Sequence, residues 1–94
     1  MDIKMNHIEG NKKGNVVLYA LSTCQWCEKT KDLLDELKVD YYYVYVDMAD
    51  YNELIKIKEE IKKYNPAFSF PTLVLDQEDS IIGFDEKKIR ERFK

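Results

Sequence analysis

Between residues 16 and 46 an apolar strand, an amphipathic helix and a second apolar strand follow one another, and this order constrains the fold more than any other feature. Val16 to Leu21 is rich in β-branched and aromatic residues without alternation, which is typical of a strand covered on both faces. Cys24 to Leu37 has the pattern of a helix with its leucines on one side. Together with a strand over Tyr41 to Val46, this unit predicts a right-handed βαβ crossover between parallel strands.

A second helix is predicted over residues 50–63, where an apolar stripe recurs at helical spacing. Asp47 and Asp50 are its candidate N-caps, because a short carboxylate can accept a hydrogen bond from the first turn. Asn65 and Pro66 end this helix, since proline cannot continue the hydrogen-bond ladder.

A hairpin and a short helix follow. Thr72 to Leu75, a polar turn and Ser80 to Ile82 have the pattern of two paired strands, and Asp85 can cap the last helix. The order β-α-β-α-β-β-α predicts an α/β fold with a central four-stranded mixed sheet and helices on both faces. We assign this domain to residues 16–94.

Residues 1–15 are polar and show neither helical nor strand periodicity. They are predicted to form a flexible lead before the domain. His7, the only histidine of the chain, lies in this lead, and we expect a solvated side chain without a role.

The composition excludes several classes of protein. Hydrophobic residues make up 45% of the 94 residues and charged residues 35%, a balance typical of a folded domain. No apolar run approaches the roughly 20 residues of a membrane span, and no secretory signal is evident. The net charge of −3 argues against nucleic acid as a partner. We therefore expect a cytoplasmic, monomeric protein that binds neither membrane nor nucleic acid.

The two cysteines, Cys24 and Cys27, stand in a C-x-x-C motif between the first strand and the first helix. Ser22 and Thr23 are the candidate caps of that helix. Unpaired backbone N–H groups and the positive end of the helix dipole meet there, and both favour a thiolate over a thiol. We therefore expect the pKa of Cys24 to lie below ~8.5, the ordinary value of a free thiol.

Disulfide exchange needs an attacking thiolate and a second thiol that resolves the mixed disulfide. Cys24 is the candidate nucleophile and Cys27 the candidate resolving thiol. Gln25 and Trp26 would tune Cys24, and the indole of Trp26 offers an amphipathic surface to a partner. A purely structural disulfide is the less favoured alternative, because so short a loop restricts the unfolded chain little.

A proline directly before the third strand, in Ser69-Phe70-Pro71-Thr72, completes a recognisable pattern. With this proline and the C-x-x-C motif, residues 16–93 resemble glutaredoxins of the thioredoxin superfamily. The resemblance implies a thioredoxin-like fold and a cis peptide bond between Phe70 and Pro71. It also implies that Pro71 helps to dock substrates, with the Phe70 backbone free to pair with an extended substrate chain.

The stretch Ile82-Gly83-Phe84-Asp85 corresponds to the place where glutaredoxins carry a glycine pair and an acidic residue that holds glutathione. Here Gly83 would allow close backbone approach, and Asp85 would either contact glutathione or only cap the last helix. The chain departs from the family in having a single glycine there, no lysine shortly before Cys24, and Gln-Trp between the cysteines.

These residues predict a thiol–disulfide oxidoreductase that reduces protein disulfides or mixed disulfides, with no bound cofactor or metal. Glutathione is one candidate reductant, and a flavoprotein thioredoxin reductase or another donor is the alternative. An iron–sulfur or metal-binding module would need two subunits or external thiols, since four ligands are normally required. A binding domain without redox turnover would leave the two cysteines unexplained.

Overall fold

Five strands form one mixed sheet in residues 3–94, the part of the chain that this computed structural model describes. The strands are β1 (Asn6–Ile8), β2 (Val16–Ala20), β3 (Tyr41–Tyr45), β4 (Thr72–Leu75) and β5 (Asp79–Ile82). Their order across the sheet is β1-β3-β2-β4-β5. The first two residues of the predicted lead lie outside the described part.

The βαβ unit predicted from the sequence forms as expected. β2 and β3 pair in parallel, with Leu18 opposite Tyr43, and α1 (Gln25–Glu36) connects them. All other neighbouring strands pair antiparallel, and β4 and β5 form the predicted hairpin. The sheet is therefore mixed, with its single parallel pair next to the centre.

Helices cover both faces of the sheet, because the side chains of the central strands alternate between two cores. Leu18 and Ala20 pack in a core with residues of α1 and of α3 (Glu86–Arg92), whereas Tyr19 packs in a second core with residues of α2 (Tyr51–Tyr64). Burial of both faces explains why β2 has a continuous apolar sequence.

The edge strand β1 corrects two of our expectations: the sheet has five strands instead of four, and the stretch before residue 16 contains a strand. Asn6–Ile8 has no apolar alternation and is held by pairing with β3. The His7 ring stacks on Tyr42 with 4.4 Å between ring centroids, and its Nε2 lies 2.8 Å from Oδ1 of Asp40. His7 is exposed, as expected, but the sequence did not predict its contacts with Tyr42 and Asp40.

The N-caps predicted from the sequence are found in two of the three helices. Asp50 caps α2 by accepting a hydrogen bond from the Glu53 N–H at 2.8 Å, and Asp85 caps α3 in the same way. Asp47 is not a cap of α2, because residues 46–48 form a short 3-10 helix before it. Among residues 3–94, no helix is both long and apolar enough to cross a lipid bilayer.

Candidate active site

The predicted site residues come together because four strands begin or end along one side of the sheet. This side, formed by strand ends and not by an edge strand, is called the edge that carries Cys24. β2 and β3 are parallel, so their C-terminal ends lie at the same edge, and the antiparallel neighbours place the start of β4 and the end of β5 there too. Cys24 follows β2, Pro71 precedes β4 and Gly83 follows β5. The topology thus assembles three separate stretches of chain into one site.

Cys24 is itself the N-cap of α1, in place of the Ser22 or Thr23 that we predicted. Its Sγ accepts a hydrogen bond from the Cys27 N–H at 3.1 Å, as a cap side chain does. As the cap, the sulfur occupies the position where the helix N–H groups and dipole favour negative charge.

Cys24 and Cys27 are joined by a disulfide, with 5.2 Å between their Cα atoms. The two sulfurs differ in environment: Cys27 is 2% exposed, whereas Cys24 is partly exposed. The predicted difference in exposure is therefore observed, and the roles of attacking and resolving sulfur stay a prediction.

The loop before Cys24 is tied to the end of β3. The carboxylate of Asp47 accepts hydrogen bonds from the Ser22 N–H at 2.9 Å and from the Ser22 hydroxyl. These hydrogen bonds lower the pKa of Asp47 below its ordinary range, and the bond from the Ser22 hydroxyl has the largest effect. Sequence reasoning assigned Asp47 to helix capping and missed this contact, because the partner lies 25 residues away.

Gln25 and Trp26 form the exposed surface beside the cysteines. The Trp26 side chain is 56% exposed and stacks on Phe84 with 5.8 Å between ring centroids. The ammonium of Lys29 lies 5.2 Å from the centre of the Trp26 ring. Phe84 and Lys29 were not predicted as neighbours of the site. The position of Phe84 between the predicted site residues Gly83 and Asp85 could have indicated its place there.

The Phe70–Pro71 peptide bond is cis, and Pro71 is fully buried. The Gly83 N–H donates a hydrogen bond to the Pro71 carbonyl at 2.9 Å, which joins the turn after β5 to the proline. Within residues 3–94, neither the N–H nor the carbonyl of Phe70 makes a hydrogen bond. These two backbone groups are therefore unpaired within the described part of the chain.

Gly83 and Asp85 complete this edge. Gly83 has φ of +80°, a conformation that favours glycine, and apart from the glycine itself and its two chain neighbours no atom lies within 4 Å of where a Cβ would stand. Asp85 accepts a hydrogen bond from the Lys88 N–H at 3.1 Å as the cap of α3. Its capping role is confirmed, and a contact with glutathione stays a prediction.

The described residues contain no cluster of three or more His, Cys, Asp or Glu side chains placed to hold a metal ion.

A mixed sheet with helices on both faces, and a C-x-x-C pair whose first cysteine caps α1, define a protein of the thioredoxin-like fold with a redox cysteine pair. A sequence model described as Glutaredoxin matches residues 16–79. The chain belongs to the glutaredoxin family, as the resemblance implied.

Solved structures and a curated relative agree with this assignment. A glutaredoxin from Methanosarcina mazei Go1 is 48% identical with a TM-score of 0.89, covering 95% of this chain and 86% of that one. Methanoredoxin from Methanosarcina acetivorans is 46% identical with a TM-score of 0.87, covering 89% and 88%. An uncharacterized glutaredoxin-like 8.6 kDa protein in the rubredoxin operon of Clostridium pasteurianum is 31% identical over 74 residues, 79% of this chain and 91% of that protein.

Proposed function

We propose that this protein is a thiol–disulfide oxidoreductase that reduces protein disulfides or mixed disulfides through Cys24. The observation that carries the proposal is the position of Cys24 as the N-cap of α1, bonded to the shielded Cys27 at an exposed edge. A sulfur in this position is stabilised as a thiolate and is accessible to a substrate.

The reaction consists of two exchanges. The thiolate of Cys24 attacks a substrate sulfur, so that a new S–S bond joins enzyme and substrate while the substrate bond breaks and one substrate thiolate leaves with a proton from solvent. Cys27 then loses its proton and attacks Sγ of Cys24, which releases the second substrate thiolate. The substrate gains two electrons and two protons, and two donor thiols then reduce the Cys24–Cys27 disulfide and are themselves oxidised to a disulfide.

Phe70 supplies a docking element for this reaction. Its N–H and carbonyl have no partner within residues 3–94, and they lie at the edge that carries Cys24. An extended substrate chain can pair with them as an added strand, which positions its disulfide over the cysteine pair.

A trapping experiment tests the roles of the two cysteines. We expect the Cys27→Ser variant, mixed with a disulfide-bridged protein such as insulin, to accumulate a covalent adduct through Cys24, because the second exchange is missing. The adduct is measured by non-reducing electrophoresis and by mass spectrometry of the linked peptides.

The Cys24→Ser variant is the matched control, since it retains one thiol but at the shielded position. It should form no adduct and show no turnover. Substantial turnover by Cys24→Ser, or full turnover without trapping by Cys27→Ser, would contradict the proposal.

The physiological donor is a separate part of the proposal. Glutathione is one candidate, and the absence of a lysine shortly before Cys24 together with the single glycine at Gly83 favours a different donor. Turnover of a small mixed disulfide with glutathione and its reductase, against turnover with a flavoprotein thioredoxin reductase, distinguishes the two.

A further inference from the structure

A cavity of about 290 Å³ opens on the face of the sheet that α2 covers, near the strand ends opposite to the edge that carries Cys24. Its floor is a row of three side chains that lie opposite one another on neighbouring strands, Val74 of β4, Val17 of β2 and Tyr42 of β3. Val17 stands near the start of β2, whereas Cys24 follows the end of that strand. The cavity is therefore separate from the cysteine pair, and the proposed reaction uses none of the residues that line it.

Three tyrosines from different elements border this cavity. Tyr42 belongs to the floor, Tyr19 lies on the same face of the sheet in β2, and Tyr64 lies in the last turn of α2. The Tyr64 hydroxyl donates a hydrogen bond to the Gln77 carbonyl at 2.9 Å. This bond fixes the Tyr64 ring between α2 and the turn after β4, so the aromatic border is preorganised.

The carboxylate of Glu60 gives the cavity its charge. Glu60 precedes Tyr64 by one helical turn, so both side chains lie on the same side of α2. Burial is the main cause that raises the pKa of Tyr19 to about 12, and the charge of Glu60 adds to it. The carboxylate therefore lies close enough to the tyrosines to act on the same ligand.

Glu60 already holds one ammonium group at the rim. Its Oε2 accepts a hydrogen bond from Nζ of Lys63 at 2.7 Å. The Lys63 side chain is 61% exposed and that of Glu60 24% exposed, so the pair lies towards the solvent. An exposed ion pair of this kind contributes little to stability. A cation in the cavity can therefore share the carboxylate with Lys63 or replace it.

We propose that this cavity binds a quaternary or methylated ammonium cation between its tyrosine rings and Glu60. Aromatic rings attract cations to their faces, and quaternary ammonium groups are the ligands that such aromatic sites recognise. A simple ammonium is strongly hydrated and gains less from apolar walls such as Met5, Val17 and Val74. The volume is at the lower end of that of ligand sites, which favours a small group. The inference goes beyond the proposed function and does not depend on it.

Choline is the probe, and 3,3-dimethylbutan-1-ol, which has the same shape without the charge, is its control. Titration of the isotope-labelled protein followed by NMR should give saturable shifts of the amide signals of Val17, Tyr42 and Val74. We expect choline to bind at least about tenfold more tightly than the alcohol, which keeps only the apolar contacts. Equal affinities, or no saturable shifts with choline, would overturn the inference.

Variants of α2 test the carboxylate and the ring separately. Glu60→Gln should weaken choline binding about two- to fivefold, and Lys63→Gln should strengthen it by a similar factor, because it removes a competing cation. Tyr64→Leu should weaken binding at least about fivefold. Tyr64→Phe keeps the ring and loses only the hydroxyl, so its affinity should stay within about twofold of the wild type.

Glu59→Gln and Tyr51→Leu are the matched controls, since they change an exposed acid and an exposed tyrosine of α2 outside the cavity. Both should bind choline as the wild type does. Glu60 and Lys63 lie towards the solvent, so their variants keep the test valid even where Tyr64→Leu unfolds the chain. Unchanged affinity in both Glu60→Gln and Lys63→Gln would overturn the inference.

The cation can be a free amine or a methylated lysine side chain of another protein. A peptide with trimethyllysine, compared with choline, distinguishes these two sources by which of the two binds more tightly. Binding of the unmodified lysine peptide as tightly as the trimethylated one would contradict a site for methylated cations.

Discussion

At the scale of single residues, the chemistry depends on the sulfur of Cys24 and on its place at the start of α1. The Cys27 N–H points at this sulfur, and the partial positive charge of the helix start lies behind it. The C-x-x-C spacing alone identified both cysteines. It could not show that Cys24 itself caps the helix, because serine and threonine are the more common caps and stand directly before it.

Alkylation of the reduced protein with iodoacetamide tests the electrostatic effect on Cys24. The rate at Cys24 should rise with pH as the thiolate forms and level off above its pKa, with a midpoint below ~8.5, the ordinary value. Peptide mass mapping assigns the modified sulfur. A midpoint at or above that value would show that the helix start does not stabilise the thiolate.

Asn65 is the residue on which the loop before Pro71 depends. Asn65→Ala removes hydrogen bonds to Ser69 and Thr72 from a buried position. We expect the free energy of unfolding in urea to fall by about 2 to 3 kcal/mol. Asn52→Ala, at an exposed position of α2, is the control and should change it by about 0.5 kcal/mol or less. Equal effects of the two variants would contradict the assignment.

At the scale of elements, Asp85 has two candidate roles, as the N-cap of α3 and as a contact for glutathione, and two substitutions test them separately. Asp85→Ala should lower stability by about 1 kcal/mol through loss of the cap, and Asp85→Asn should restore it, because asparagine caps as well as aspartate. Chemical denaturation measures both. Equal stability of the Ala and Asn variants would argue against the cap. A raised KM for glutathione in Asp85→Asn, in which the cap is kept, would identify a ligand contact.

The edge strand β1 is anchored by Asp40, whose carboxylate faces His7 and accepts a hydrogen bond from the Gly10 N–H at 3.2 Å. The hydrogen bond from His7 is the main cause that lowers the pKa of Asp40, and the bond from Gly10 adds to it. A carboxyl whose pKa is lowered on folding stabilises the fold above its unfolded pKa, and this contribution is lost as the pH falls through the lowered value.

Asp40→Asn should therefore destabilise the protein at pH 7, and the difference from the wild type should shrink below the ordinary carboxyl pKa of ~3.9. Urea unfolding of both proteins between pH 7 and pH 2.5 measures this difference. A difference that is independent of pH would contradict an anchor based on charge.

Most elements could be predicted because their cause is local. The continuous apolar run of Val16–Ala20, the cap at Asp50 and the proline after α2 are each visible within a few residues. β1 could not be predicted in this way, since Asn6–Ile8 has little apolar character and becomes a strand only by pairing with β3. Its stabilising partner Asp40 lies 33 residues from His7, beyond the reach of local patterns.

At the scale of the whole molecule, the fold collects exposed apolar side chains near the edge that carries the cysteines. Among residues 3–94, the large exposed apolar side chains include Trp26 beside the disulfide, Met48 after β3, Phe68 before Pro71 and Ile82 at the end of β5. Exposed apolar side chains near these strand ends offer a contact surface to a macromolecular partner. The sequence could not show this, because these residues are far apart along the chain.

A single-turnover reaction tests the central claim without assuming a donor. The protein is reduced, freed of reductant and mixed with an excess of a disulfide-bridged peptide, and the peptide thiols and the protein disulfide are followed by quenching with an alkylating agent. We predict that each wild-type chain reduces one peptide disulfide and forms the bond between Cys24 and Cys27. With Cys24→Ser, the peptide disulfide should be reduced no faster than in the absence of protein. Reduction by Cys24→Ser at the wild-type rate would contradict the account.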